Sequence, residues 1–380
     1  MILWALVALP CALAVLSAVV PGPRAVLAVG ALGSVVFAAL AGVGVHAAFV
    51  DPLSAWDGNL RLDPLSGYHL AIVAIVFAFS SIAAWPHFSP DVAQGRFDGR
   101  TARRFGVAWF AFLASMVLVL LSNNVGLLWI AMETTTLASA LLVCVYFDEQ
   151  SVRAAWTYLM ICSVGIALAL LGTFLLAGEA RTVLGGTASP FLWTDLLEAA
   201  PRMRPGAVRL AFVFLLAGYG TKAGLAPMHS WLPDAHGQAP APVSAVLSGV
   251  LLNCALYGIS RFLPVVNAAT GGDGSTLLIP FGVLSIGFAA VHVLRERDMK
   301  RLLAYCSVEH VGIIALAIGV GVPAAALFHT LNHSLAKMVA FFAAGVVSHD
   351  RGTRDTDQVG GLLRTHPLVG AGLIAAIRAL

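Results

Sequence analysis

The chain has 380 residues, of which 59% are hydrophobic and 11% are charged, and its formal net charge is +3 at pH 7. An ordinary soluble domain has about a quarter charged residues, so this composition excludes a mainly water-soluble protein and predicts an all-α integral membrane protein. Apolar segments recur along the whole chain and leave no polar block that would form a separate globular unit. We therefore expect one continuous membrane domain.

Eleven apolar segments are long enough to cross the hydrocarbon core, which takes about 20 residues. They lie near residues 1–20, 25–48, 65–84, 105–121, 125–146, 153–177, 208–225, 241–263, 276–294, 302–321 and 324–347. A twelfth begins near residue 367, so we expect about eleven complete transmembrane helices and a truncated twelfth. The first segment has no basic residue ahead of its apolar run, which favours a transmembrane helix over a cleaved signal peptide.

Two connections contain more than a simple turn. Residues 47–68 mix Pro, Gly and Asp with short apolar pairs, which predicts a turn-rich hairpin or loop. The connection 179–207 contains FLWTDLLEAA, whose apolar and acidic pattern suits either a short helix on the membrane surface or an ordered loop.

Basic residues are divided unequally between the two sides of the membrane. One side has Arg24, Arg96, Arg100, Arg103, Arg104, Arg153, Arg295, Arg297, Lys300, Arg301, Arg351, Arg354 and Arg364. The other side has Arg61, Arg181, Arg202, Arg204, Arg209 and Arg261. Because cytoplasmic connections contain the excess of Lys and Arg, the sequence predicts that the richer side is cytoplasmic and that the N-terminus lies outside.

The five cysteines occur singly in apolar segments, without the paired spacing of zinc, iron-sulfur or disulfide frameworks. They are Cys11, Cys144, Cys162, Cys254 and Cys306. We therefore expect no redox centre and no cofactor in this chain.

A charged side chain at the bilayer centre costs at least about 2.5–3.5 kcal/mol, so each one is a candidate functional residue. Glu133 lies in the fifth segment at a depth of about 13 Å, near the midplane. Thr134, Thr135 and Thr136 follow it and can hydrogen-bond water or backbone there. The alternative is a structural carboxylate that its neighbours satisfy.

Lys222 stands in the seventh segment among Gly218, Gly220, Gly224 and Pro227. These residues favour a broken helix, which is tolerated at membrane depth only where it is buried in protein or lines a water-filled cavity. A Lys–Glu pair there can hold or release a proton depending on its separation. The alternative is a lysine that snorkels to the interface.

The eleventh segment contains FHTLNHSLAKMVAF, in which His329, His333 and Lys337 recur at every fourth position. They form a stripe on one helix face that rises about 12 Å. We expect this stripe to face the protein interior, because it would be costly against lipid. A metal site at the two histidines is an alternative, but no third ligand lies beside them and the lysine opposes a cation, so no metal is predicted.

Further candidates are more weakly indicated. Glu309 and His310 lie about 13 Å deep in the tenth segment, where His310 is either a proton relay or a histidine satisfied by a serine or carbonyl group. Ser248 and Asn253 are polar enough to hold water between Lys222 and the later histidines.

A second set of weak candidates follows the seventh segment. His229, Asp234 and His236 form either a proton-uptake funnel or an interfacial group around a Pro-rich turn, with Trp231 as an anchor.

Three stretches resemble one family of membrane proteins. GYGTKAGLAPMHSWLPDAHGQAPAPVSAVLSGVLLNCALYGISRF, RDMKRLLAYCSVEHVG and FHTLNHSLAKMVAFFAAG are similar to the antiporter-like subunits of respiratory complex I, Mrp cation/proton antiporters and membrane-bound group 4 hydrogenases. The likeness covers residues from about 65 to 366. Within the family the chain most resembles the hydrogenase-type F component of formate hydrogenlyase-like complexes.

The resemblance implies an antiporter-like fold with two inverted repeats of five spans and a broken seventh helix. Carried onto this sequence, it divides the chain into an N-terminal three-helix region 1–104, a first repeat 105–263 with spans 4–8, and an incomplete second repeat 264–380 with spans 9–12.

The same resemblance assigns roles to the buried ionisable residues. Glu133 and Lys222 are expected to form a switching pair, and the stripe of His329, His333 and Lys337 is expected to pass the proton sideways.

The implied function is proton translocation across a prokaryotic inner membrane, driven by electron transfer in other subunits. The implied partners are other membrane subunits and, through them, a peripheral arm with nickel-iron or iron-sulfur centres. Protons and the lipid bilayer are further partners, and no nucleic acid is expected. The alternatives are an Mrp-type Na⁺/H⁺ antiporter subunit, which needs no redox partner, and an inactive truncated scaffold.

The sequence departs from the family pattern at two places. Relatives often have a lysine or histidine in the eighth span, where this chain has Ser248 and Asn253, so that relay step would depend on water. The family also continues through a broken twelfth helix with a lysine or glutamate, whereas this sequence reaches Leu380 inside its twelfth segment. For a complete chain, the outward half of the proton path would then be missing.

Overall fold

Helices make up nearly all the regular structure of this computed structural model, which describes residues 1–186 and 188–380. The α-helices are α1 Ile2–Val19, α2 Pro23–Val50, α3 Pro64–Ala93, α4 Gly99–Leu121, α5 Val125–Val143, α6 Glu149–Val183, α7 Trp193–Ala199, α8 Pro205–Ala223, α9 Leu232–Gln238, α10 Ala241–Val246, α11 Leu252–Thr270, α12 Asp273–Val293, α13 Met299–Gly319, α14 Pro323–Arg351, α15 Leu362–Thr365 and α16 Pro367–Ala379. A π-helical turn, Leu247–Leu251, joins α10 to α11, and 3₁₀ turns cover Ala200–Arg202 and Thr356–Gln358.

In the described part of the chain, ten helices are long and apolar enough to cross a membrane, which confirms the all-α membrane fold. They are α1 to α6, the continuous helix from α10 through α11, and α12 to α14. The remaining one of the eleven predicted segments, the seventh, forms α8, whose 19 residues include Arg209 and Lys222. The total number of spans stays a prediction.

The two longer connections both contain regular structure. Residues 53–62 form an antiparallel hairpin of β1 Leu53–Ala55 and β2 Leu60–Leu62, in which Leu53 pairs with Leu62 and Ala55 with Leu60. The segment FLWTDLLEAA forms α7, in which Leu196 and Ala199 are fully buried. The short helix therefore packs against protein, although Thr187 in the same connection lies outside the described residues.

The helix that runs from α10 through α11 lies at the centre of the molecule. In the most apolar stretch of this helix 94% of the residues are buried inside the protein, whereas 22% are buried in the most apolar stretch of α12. It packs against α8 on one side and, through α10 and the π-helical turn, against α14 on another. Polar side chains on this helix therefore face protein.

Two of the basic residues that were counted in the tally of the two membrane sides are buried in helices. Arg261 lies in α11 and forms an ion pair with Asp63, at 2.5 Å between Nη2 and Oδ1. Lys300 lies in the first turn of α13 and donates a hydrogen bond to the Ala239 carbonyl. The tally of basic residues assigned these two only to a side of the membrane, and a short polar sequence does not reveal a buried partner.

Candidate functional site

The end of α8 positions Lys222. Gly224 adopts a left-handed conformation with φ 78°, which costs glycine nothing. The amides of Gly224 and Leu225 donate to the carbonyls of Thr221 at 3.1 Å and Gly220 at 2.9 Å, the paired hydrogen bonds of a Schellman motif. Lys222 therefore lies in the last helical turn, where carbonyl groups favour a cation.

Only part of the predicted helix break coincides with this helix end. Gly224 ends α8, and Pro227 follows in the turns that lead to α9. Gly218 and Gly220 lie inside α8, so their part in a helix break stays a prediction. A Cβ at Gly218 would lie 2.5 Å from the Gly165 carbonyl oxygen, so this glycine allows close packing of α6 and α8.

Lys222 is fully buried and is held by two hydroxyl groups. Its Nζ donates to Thr136 Oγ1 at 2.8 Å and to Tyr158 Oη at 2.6 Å. The Tyr158 hydroxyl also lies 2.7 Å from Ser139 Oγ. Because the ammonium group is enclosed, the alternative of a snorkelling lysine is excluded.

Glu133 lies next to this group and is half-buried. Its Oε1 accepts a hydrogen bond from Ser163 Oγ at 2.6 Å, and its Oε2 from Thr136 Oγ1 at 3.5 Å. Among the described residues, no direct ion pair of 4.0 Å or less joins Glu133 to Lys222. The two groups are instead connected through Thr136.

The connecting hydroxyl has the right chemistry for passing a proton. A threonine hydroxyl has one donor and two acceptor sites, so Thr136 accepts from Lys222 and donates to Glu133 at the same time. A shift of protons along this chain would neutralise both the ammonium and the carboxylate. The separation of the two charges decides which state is favoured. We call Glu133, Thr136, Lys222 and Tyr158 the lysine cluster.

The three threonines that follow Glu133 differ in their contacts. Thr134 is exposed and its hydroxyl donates to the Ile130 carbonyl at 2.8 Å, while the buried Thr135 donates to the Met132 carbonyl at 2.6 Å. Of the three, only Thr136, which lies on the face of α5 opposite Thr134, reaches Lys222.

Three histidines from two helices form a second group, which we call the histidine cluster: His310 on α13, and His329 and His333 on α14. Nδ1 of His310 lies 3.0 Å from Nε2 of His329, and the ring centres of His310 and His333 are 5.8 Å apart. Nε2 of His333 lies 3.1 Å from the Ser248 carbonyl oxygen. His310 is therefore satisfied by a histidine, which was not among the expected partners.

Burial increases along the predicted stripe. His329 is half-buried, whereas His333 and Lys337 are fully buried, so the stripe turns into the protein. In the described part of the chain, the Lys337 ammonium has one hydrogen-bond partner, the Leu303 carbonyl at 3.0 Å. Two of its three N–H groups thus lack a protein acceptor, which is costly in an apolar interior unless water enters.

Ser248 and Asn253 lie on the central helix beside the histidine cluster. Ser248 belongs to the π-helical turn, a feature common at functional sites, and its Oγ lies 2.7 Å from Ser307 Oγ. Asn253 donates from Nδ2 to Ser334 Oγ at 2.8 Å, and its buried Oδ1 has no partner among the described residues. No hydrogen-bond chain within these residues joins Lys222 to the histidine cluster, so a water-mediated relay here stays a prediction.

The candidates after the seventh segment have different surroundings. Asp234 is half-exposed and forms an ion pair with Arg301. His236 is fully buried, with Nδ1 2.9 Å from the Leu232 carbonyl and Nε2 without a partner among the described residues. His229 is nearly buried. His236 is therefore enclosed by protein, while the uptake funnel and the interfacial group both stay predictions.

Glu309, the remaining sequence candidate, is half-buried on α13. It has no hydrogen-bond partner of its own among the described residues, and it does not join the histidine cluster that its neighbour His310 enters.

Sequence reasoning missed the contribution of α6 to the lysine cluster. Tyr158 and Ser163 both belong to this apolar helix and contact Lys222 and Glu133 respectively. The signal that could have indicated this contribution is the presence of hydroxyl side chains in a span that is otherwise apolar.

Comparison with known proteins identifies the family of this chain. The model of the family described as "NADH:quinone oxidoreductase/Mrp antiporter, TM" matches residues 122–380. The chain belongs to this family. The resemblance inferred from the three sequence stretches is thereby confirmed.

Two relatives illustrate the range of this family. The chain is 38% identical over 323 residues to "Hydrogenase-4 component F homolog" of Methylacidiphilum infernorum, covering 84% of this chain and 68% of the relative. It is 33% identical over 329 residues to "NADH-quinone oxidoreductase subunit N" of Desulforudis audaxviator, covering 84% of this chain and 62% of the relative.

Solved structures show the same fold. The structure of the membrane-bound sulfane sulfur reductase, an archaeal respiratory membrane complex, contains a chain with a TM-score of 0.84 and 21% identity, covering 98% of this chain and 77% of that one. Respiratory complex I from Thermus thermophilus contains a chain with a TM-score of 0.77 and 24% identity, covering 100% of this chain and 78% of that one.

Proposed function

We propose that this chain translocates protons as a membrane subunit of a hydrogenase-type or complex I-like assembly, coupled to electron transfer in other subunits. The observation that carries the proposal is the Thr136 hydroxyl, which connects the buried Lys222 to Glu133. The names of the hydrogenase and quinone oxidoreductase relatives support the kind of assembly.

The lysine cluster acts as the switch in this proposal. In the charged state the Lys222 ammonium is stabilised by two hydroxyls and, through Thr136, by the Glu133 carboxylate. Moving the carboxylate away weakens that stabilisation, so the buried ammonium releases its proton. Moving it back restores the charged state.

The histidine cluster and Lys337 continue the path in the second half of the chain. His310 and His329 are in hydrogen-bond contact, and His333 and Lys337 follow His329 along the same helix, where both are fully buried. An imidazole ring can accept a proton at one nitrogen and donate one from the other, so this arrangement suits lateral transfer. Water near Ser248 and Asn253 would connect the two clusters.

We further propose the finer arrangement in the membrane. The arginine-rich side faces the cytoplasm, so the N-terminus lies outside a prokaryotic inner membrane. Residues 1–104 form an N-terminal region, 105–263 a first repeat and 264–380 a second one. Other membrane subunits link the chain to a peripheral arm with nickel-iron or iron-sulfur centres.

Proton uptake into vesicles that contain the assembled complex tests this function. Lys222→Ala and Glu133→Gln should each abolish uptake driven by electron transfer while the complex still assembles. Uptake at the native level in both variants would overturn the proposal. Uptake that requires a sodium gradient and no electron donor would instead identify an Mrp-type antiporter.

A further inference from the structure

An apolar groove outside the proposed proton path lies between α1, α4 and α5. Its volume is about 710 Å³, and its walls are formed mainly by small and branched apolar side chains. They include Ala18, Val107, Ala111, Leu137, Ala138 and Leu141. A groove of this composition at membrane depth suits hydrocarbon.

Two arginines line the groove at one end. Arg103 and Arg104 lie in the second turn of α4, on the side of the membrane that is rich in basic residues, and both are exposed. The Arg104 guanidinium lies 5.5 Å from the ring centre of Phe147, which also lines the groove. The positive charge and the apolar walls therefore belong to one continuous surface.

Neither arginine has an acidic partner in the part of the chain that the structure describes. Among the described residues, no carboxylate oxygen lies within 4.0 Å of Arg103 or Arg104. By contrast, Arg96 pairs with Asp91 at 2.5 Å and Arg153 with Glu149 at 3.2 Å, although both lie on the same side of the membrane. The groove thus combines apolar walls with two uncompensated positive charges at its mouth.

We propose that this groove binds an anionic phospholipid, with its phosphate on Arg103 and Arg104 and an acyl chain along α4 and α5. The dimensions fit, because Ala111 lies about 10 Å along α4 from Arg104, within the roughly 15 Å of hydrocarbon in one leaflet. Basic pockets between transmembrane helices are suited to anionic headgroups. A neutral lipid would leave both guanidinium groups without a counter-charge.

Native mass spectrometry of the full chain, purified in a neutral detergent with phosphatidylglycerol or phosphatidylcholine added, tests the site. The native chain should retain one phosphatidylglycerol in preference to phosphatidylcholine. The double variant Arg103→Gln, Arg104→Gln should bind phosphatidylglycerol about thirtyfold more weakly, since each arginine near an anionic surface contributes about fivefold. The matched control Arg24→Gln, Arg295→Gln removes two exposed arginines that do not line the groove and should bind normally.

A second variant examines the acyl part of the site without changing charge. Ala111→Trp fills the groove and should weaken phosphatidylglycerol retention although both arginines remain. Equal retention by the native chain and the Arg103, Arg104 double variant would overturn the proposal. Equally tight binding of phosphatidylcholine and phosphatidylglycerol by the native chain would also overturn it. A protein partner that fills the groove and excludes lipid in the assembled complex would overturn it as well.

Discussion

The ammonium of Lys222 lies 2.8 Å from the hydroxyl of Thr136, and that hydroxyl is what connects it to a carboxylate. A direct buried ion pair resists separation, because removing either partner leaves an uncompensated buried charge. A mediated contact keeps the carboxylate close enough to influence the lysine without holding it permanently charged. This arrangement suits a group that must release its proton in every cycle.

Close packing of α6 and α8 holds Lys222 against Tyr158, and Gly218→Ala tests this packing. The added Cβ would meet the Gly165 carbonyl oxygen and the Ala169 Cβ, each at 2.5 Å. Overpacking of this kind costs about 1–3 kcal/mol, so we expect a lower midpoint of thermal unfolding in detergent. Gly206→Ala, in the first turn of the same helix with open space around it, is the control and should not lower the midpoint. Equal midpoints for the two variants would contradict the packing argument.

The ion pair between Asp63 and Arg261 should stabilise the fold. The Asp63 and Arg261 side chains are 13% and 10% exposed, so Asp63→Asn leaves a nearly buried guanidinium unpaired and should cost about 3–5 kcal/mol. Asp273→Asn breaks the exposed pair with Arg209 and should cost less than about 1 kcal/mol. Denaturant unfolding of both variants measures the difference, and similar losses would show that burial does not matter here.

The contribution of this ion pair should depend on pH in the acid range. Burial raises the pKa of the Asp63 carboxyl, whereas the hydrogen bonds and the charge of Arg261 lower it. The lowering is the larger effect, so the pKa lies below the ordinary value of 3.8. A carboxyl whose pKa is lower in the folded state stabilises the fold above its unfolded pKa and loses this effect as pH falls through the folded value. The stability difference between the native chain and Asp63→Asn should therefore be constant near pH 6 and shrink below about pH 4.

Replacing Lys337 should keep or raise the stability of the fold and lower proton transport. Lys337→Met removes a buried ammonium that has one hydrogen-bond partner in the described chain, so the unfolding midpoint should stay equal or rise. Proton uptake should fall at least about tenfold, since a positioned proton-transfer group contributes roughly 10²–10⁴. Met338→Leu, at the same depth, controls for repacking and should leave uptake unchanged. A destabilised Lys337→Met variant that still pumps would mark the lysine as structural.

The hydrophobic pattern predicted the fold class because a bilayer allows few alternatives. Backbone groups in lipid must be satisfied within the segment, so a long apolar stretch is a helix. The cost of a charge in hydrocarbon likewise indicated that Lys222, His333 and Lys337 would face the protein. All three are fully buried.

The contacts between helices could not be predicted in this way. Whether Thr134 or Thr136 reaches Lys222 depends on the rotation of α5 relative to α8, which is determined by packing far away in sequence. The same limit explains Gly218, since the sequence alone does not distinguish a glycine that ends a helix from one that allows a close approach.

The most direct test of the lysine cluster compares Thr136→Val with Thr134→Val in vesicles that contain the assembled complex, measuring protons taken up per electron transferred. Both variants remove a hydroxyl from α5 and keep the β-branched shape, but Thr134 and Thr136 lie on opposite faces of the helix, and only Thr136 connects Lys222 to Glu133. We expect Thr136→Val to lower the ratio at least about tenfold, because the buried ammonium loses a partner that contributes about 1–3 kcal/mol, and Thr134→Val to keep the native ratio. Native ratios in both variants would contradict the central role of the connecting hydroxyl.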